Sequence, residues 1–145
     1  TDIRVAFDAL KPFTVVRDYY QDLGVYIENA IAIRPSNPIF CPEPTRSGLV
    51  PEGNLPKMAM LFQAPMQRIH IKVMGVREIR LAAYDASNHL VGQVSHDANY
   101  AELRAPDCLP WRSLEILAKD VQRIVVASSS PFVLSSLRTQ VTAAP

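Results

Sequence analysis

Glycine is scarce in this chain, at 5 of 145 residues, about half the roughly 7% share of an average protein. The five stand at positions 24, 48, 53, 75 and 92, too scattered for a glycine-rich loop to wrap a phosphate. No nucleophile elbow occurs either, because Arg46-Ser47-Gly48 lacks the leading glycine that such a turn needs. Long apolar runs are missing: the longest is the five residues Met58 to Phe62, against the roughly 20 of a membrane-crossing helix. Charge of one sign is missing too. Fifteen Lys and Arg oppose fourteen Asp and Glu for a net +1, which leaves no general footprint for nucleic acid. The two cysteines form no Cys-x-x-Cys element and have no histidine cluster beside them, so a zinc site is not expected.

Proline, by contrast, is plentiful at 12 residues, and 48% of the chain is hydrophobic, enough to bury a real core in one domain. The apolar residues recur with period two. Ile3, Val5 and Phe7 alternate with polar or small neighbours, as do Val25, Ile27, Ile31 and Ile33. Further alternating stretches are Ile69-Ile71-Val73, Ile79-Leu81-Ala83 and Leu114-Ile116-Ala118, and apolar segments follow at Arg123–Ala127 and Phe132–Leu137. Short Val- and Ile-rich runs between turn residues predict strands with one buried face. Asp85-Ala86-Ser87-Asn88 predicts a hairpin turn, and Gly75-Val76 another bend. Helix candidates run from Val15 to Leu23, ended by Gly24, and from Ser113 to Val121, the second read as a strand, so at most one or two short helical turns are expected. The span Arg34 to Pro65 holds seven prolines, which predicts a long proline-rich loop and excludes a central strand apart from brief pieces such as Met58 to Phe62.

Three segments carry a family resemblance: Val5–Leu10 followed by Tyr19–Ala30, Ile79–Asp85 with Leu90-Val91-Gly92, and Val121–Ala127 with Phe132–Leu137. Together they resemble the galactose-binding-like jelly-roll domains of secreted bacterial proteins, which often serve as carbohydrate-binding or adhesive modules. Many such domains hold a structural calcium ion through acids on the first and last strands. Here Ser135 and Ser136 stand where the acids of the last strand would be. Asp8 alone falls short of the six to eight oxygens calcium takes, so it is read as a capping or turn residue and no cofactor is expected.

Two carboxylates roughly 5 to 9 Å apart across a groove would make a glycosidase. Glu28, Glu78, Glu102 and Glu115 are scattered instead, and the chain is read as non-catalytic. Sugars are bound by aromatic faces and by side chains that bond hydroxyls. The segment from His96 to Trp111 gathers such groups, and His96, Asp97, Asn99, Tyr100, Arg104 and Trp111 are the candidate ligand-binding residues. Arg68, His70 and Lys72 alternate along one strand, share a face, and could attract anionic sugars or phosphate.

Cys41 and Cys108 lie 67 positions apart in proline-flanked segments. Paired, they would stabilise by about 4 kcal/mol through loop closure; unpaired, they are small core residues. The chain opens Thr1-Asp2-Ile3-Arg4, as a domain taken from a longer exported protein would, and equally a fragment of a cytosolic one; the resemblance implies the former, placed at the cell surface, in the periplasm or outside. These readings converge on an all-β sandwich of jelly-roll type over residues 1–140, with 141–145 as tail or linker. Its expected partner is a carbohydrate or glycoconjugate. The alternative is an assembly domain that binds protein through a sheet edge or the proline-rich loop.

Overall fold

A computed structural model describes residues 2–35, 46–53, 56–96 and 109–142. Among the described residues there are nine strands: β1 (Asp2–Ala6), β2 (Val25–Glu28), β3 (Ala30–Ile33), β4 (Gly48–Pro51), β5 (Lys57–Gly75), β6 (Ile79–Tyr84), β7 (Leu90–His96), β8 (Arg112–Ser128) and β9 (Phe132–Val141). All pair antiparallel. The fold is a β-sandwich of the jelly-roll type: the period-two pattern predicts its strands, and the family resemblance implies its type.

Two long strands build both layers. The first part of β5, Lys57 to Leu61, lies between β2 and the second part of β8, which in turn pairs with β6 and then β7. The second part of β5, Met66 to Gly75, lies between the first part of β8 and β9, whose far side carries β1 and β4. The crossing from one layer to the other falls at register shifts around Met66 on β5, opposite Val121 on β8 and next to Asp120, whose φ is 59°. Such bulges bend strands and let them change layers.

The inward residues of the two layers form one buried cluster. Val25, Ile27, Met58, Met60, Leu81, Ile124 and Val126 come from the first layer; Val5, Ile69, Ile71, Val73, Leu114, Ile116 and Leu137 come from the second. Close packing of the layers is visible at Gly92, where an added Cβ would stand 2.7 Å from Ile116 Cγ2. Only the bare backbone of β7 fits over β8 there.

Two expectations change. Pro65 lies inside a 19-residue strand that runs through the middle of the sheet, where a central strand was not expected. It is tolerated because it falls in the unpaired stretch between Leu61 and Met66, where no ladder bond needs its missing N–H. Its carbonyl accepts from Thr142 N at 2.8 Å. The helix candidate over Val15 to Leu23 is a single 3-10 turn, Gln21–Leu23, within the one or two short helical turns expected, and Gly24 caps it at φ 74°. Val15 bridges Ile31 instead, so pairing to the sheet wins over local helix formation. Finally, β9 extends to Val141 and Thr142 bonds Pro65, so these two residues are held by the sandwich. The proline-rich span is interrupted by β4 and ends at β5; its positions 36–45, with Cys41, lie outside the described residues, as does Cys108.

Candidate functional site

The outward face of the first layer is built by register. Glu28, Ala59, Val125, Ala82 and Gln93 stand side by side across β2, β5, β8, β6 and β7. Tyr26, Leu61, Arg123 and Tyr84 form the next row, and Lys57, Ala127, Arg80 and Ser95 the one on the other side. The middle row is small where the sheet is widest. Ala59, Val125 and Ala82 therefore leave a hollow between larger flanking side chains.

A groove of about 530 Å³ occupies that hollow, with Ala59 and Val125 in its lining. One wall is Tyr84 and Arg123. The guanidinium lies 5.4 Å from the centre of the tyrosine ring, an attraction between cation and π-face. Arg123 also donates to Asn88 Oδ1 at 3.2 Å, which ties it to the β6–β7 hairpin. The other wall is Glu28, Asn29, Glu52 and Gly53. Asn29 donates through Nδ2 to the Lys57 carbonyl at 2.6 Å, and its own carbonyl accepts from Glu52 N at 2.8 Å. Asn29 at φ 62° and Gly53 at φ 76° take the left-handed turn conformations that these residue types tolerate best. A second hollow of about 310 Å³ over Arg80, Ala127 and Ser128 continues along the same face.

The hairpin that carries Asn88 is held by one carboxylate. Asp85 Oδ1 accepts from the backbone N–H of Ser87 and of His89, each at 2.9 Å. The bond from His89, foremost among the causes, holds the Asp85 carboxyl below its ordinary value. On the opposite flank of the molecule Tyr20 packs edge-on against Phe7, with centroids 5.6 Å apart. Burial, together with Tyr19 and Asp8, pushes its hydroxyl up to about 12.

The residues singled out from sequence are distributed differently. Asp97, Asn99, Tyr100 and Arg104 lie outside the described residues. His96 stands opposite buried Ile79, on the inward side of β7, with its Nε2 buried. Trp111 is 41% exposed and lies against the second layer, with Lys72 Nζ 5.7 Å from its ring centre. His96 and Trp111 therefore belong to different layers. Arg68, His70 and Lys72 do share the outward face of that second layer, in register with Gln140, Arg138 and Ser136 of β9. Of the scattered carboxylates, Glu28 borders the groove, Glu78 pairs with Arg80 at 2.5 Å, and Glu115 stands beside His70. Among the described residues no three His, Cys, Asp or Glu side chains gather as a metal site would require.

Tyr84 and Arg123 were not singled out as ligand-binding from sequence. The available signal was an aromatic, Tyr84, at an outward position of a strand whose inward positions are Ile79, Leu81 and Ala83.

No protein-family model matches the chain, and no curated protein sequence does. Solved structures do. The K1 cleaved adhesin domain of Lys-gingipain from Porphyromonas gingivalis W83 is similar with a TM-score of 0.54 and 13% identity, covering 99% of both chains. The K2 cleaved adhesin domain of Lys-gingipain has a TM-score of 0.56 at 6% identity, covering 97% of this chain and 98% of that one. A family 29 carbohydrate binding module from Piromyces equi has a TM-score of 0.52 at 8% identity, covering 96% and 90%. At these identities the likeness establishes the fold: a β-sandwich like that of adhesin domains and carbohydrate-binding modules.

Proposed function

We propose that this chain is a non-catalytic carbohydrate-binding module of an exported protein, and that it holds a glycan along the outward face of its first layer. The observation that carries this reading is the groove over Ala59 and Val125, walled by Tyr84 with Arg123 on one side and Glu28 on the other. An aromatic face suits the C–H surface of a sugar, while Arg123 and Glu28 offer a donor and an acceptor for its hydroxyls. The adjoining hollow at Arg80 extends the track beyond one sugar, which favours a chain over a monosaccharide. The names of the similar structures, two adhesin domains and a carbohydrate binding module, support the same reading.

Hydrolysis is disfavoured by placement. Glu28 and Glu52 both border the groove, yet they stand on the same wall, where Glu52 N–H donates to the carbonyl of Asn29 next to Glu28. Acid and base must flank a scissile bond from positions roughly 5 to 9 Å apart. Trp111, with Asp97, Asn99, Tyr100 and Arg104 of the same segment, remains the second ligand-binding group we put forward, while His96, on the inward side of β7, stands apart from Trp111.

Isothermal titration with xylo-, cello-, manno- and galacto-oligosaccharides of six units tests this. At least one should bind without release of reducing ends, and Tyr84→Ala should weaken that binding by about tenfold, the effect of losing one stacking contact worth about 1.4 kcal/mol. Unchanged affinity in Tyr84→Ala, or turnover of the oligosaccharide, would reject the reading. A protein-binding alternative is favoured by exposed Phe13, Val15 and Tyr19 in the β1–β2 connection. Silence across the panel together with self-association in sizing chromatography would support it.

A further inference from the structure

The outward face of the second layer has a different chemistry from the groove. Across β8, β5, β9 and β1 the register places Glu115, His70, Arg138 and Arg4 in one row, with Leu117, Arg68, Gln140 and Asp2 beside it. Lys72 and Ser136 occupy the row on the other side, and Lys119 joins Arg68 and Gln140 around a hollow of about 420 Å³. Five cations (Arg4, Arg68, Lys72, Lys119 and Arg138) thus face two carboxylates, Asp2 and Glu115. That is a local +3 in a chain of net +1, so the rest of the sequence is net −2. Charge is segregated onto this face.

The cations are only loosely engaged. Asp2 is shared by Arg138 at 3.5 Å and Arg4 at 3.7 Å, and Arg68 is 3.7 Å from Glu115; each is beyond good hydrogen-bond length. Lys72 has no carboxylate partner among the described residues and rests over Trp111. We infer that this face is a second binding surface, for a sulfated polysaccharide.

Charge complementarity commits the surface to a polyanion, and its extent argues for an oligosaccharide. Strand spacing and the two-residue repeat spread the cations of β5, β9 and β1 over roughly 10 by 14 Å, with Lys119 of β8 beyond them, the footprint of a chain and not of a single ion. Exposed Trp111 at the rim adds a surface for a sugar ring. Sulfate is favoured over carboxylate because Asp2 and Glu115 already offer carboxylates to the arginines. A uronate would merely exchange with them, whereas a glycan with several sulfates per repeat displaces them by number.

The test uses a heparin octasaccharide, hyaluronan of equal length, and inorganic polyphosphate against the whole chain by calorimetry. Heparin should bind, with affinity that falls as NaCl rises, and more tightly than hyaluronan or polyphosphate. The double variant Lys72→Glu with Arg138→Glu should lose about tenfold or more for heparin. Trp111→Ala should weaken heparin several-fold and leave polyphosphate unaffected. Tyr84→Ala should leave heparin binding intact, which separates this surface from the groove. Lys72→Gln, with an unchanged melting temperature, controls for folding and should itself weaken heparin. Equal affinity for all three polyanions, or undiminished binding by the charge-reversed variant, would overturn the inference.

Discussion

Asp85 is the residue on which one groove wall depends. Its carboxylate accepts from Ser87 and His89 and so shapes the turn that presents Asn88 to Arg123. A carboxyl held below its ordinary value stabilises the folded turn above the ordinary carboxylate range, and that contribution is lost as pH falls through the lowered value. The amide resonances of Ser87 and His89 should therefore shift together, with a midpoint below the ordinary Asp value of 3.8. A midpoint at or above that value would mean that the turn does not rest on these bonds. The hairpin itself is legible in the sequence, since Asp, Ser and Asn in a row favour just such local bonds. The role of Arg123 is not, because 35 positions separate it from Asn88 and only the pairing of β6 with β8 joins them.

At the scale of elements, strands with alternating patterns are readable and long bent strands are not. β1, β2 and β6 show their inward residues directly as Val, Ile, Leu or Ala at every second place. β5 and β8 defeat that reading because their register slips at the corner: inward positions on β5 pass from Met58, Met60, Phe62 and Met66 to Ile69, Ile71 and Val73, a change of parity after Met66, and Val121 breaks the run of Leu114, Ile116, Ile124 and Val126 on β8. Proline added to the difficulty, since Pro65 within β5 reads as a strand breaker unless the corner is known. Gly92 shows how closely the elements fit. Gly92→Val should destabilise the fold by about 1–3 kcal/mol, the usual range for overpacking, because Ile116 Cγ2 already fills the space. Ile116 is β-branched and stiff at χ1, so it does not swing away cheaply. Denaturant unfolding measures this; a variant as stable as the parent would show that β7 does not lie tight on β8.

At the scale of the whole molecule, the sandwich turns two sheets back to back and leaves two outward faces of unlike character. One has a small-residue floor between Tyr84 with Arg123 and the Glu28 wall; the other carries Arg4, Arg68, Lys72 and Arg138. The sequence indicates the second face through the alternation of Arg68, His70 and Lys72, but it conceals the first. The groove residues come from β2, β5, β6 and β8, and none of those strands looks like a site alone. Positions 97–108, where most of the sequence-derived candidates fall, remain a proposed contribution beside these faces.

The central claim is that the groove over Ala59 and Val125 binds glycan. Its most direct test is two-dimensional NMR of the isotope-labelled chain titrated with the oligosaccharide that binds most tightly in calorimetry. The account predicts saturable shifts confined to the backbone amides of Glu28, Ala59, Tyr84, Arg123, Val125 and their neighbours. Shifts clustered instead on β9 and β1, or none on β6 and the second part of β8, would contradict it.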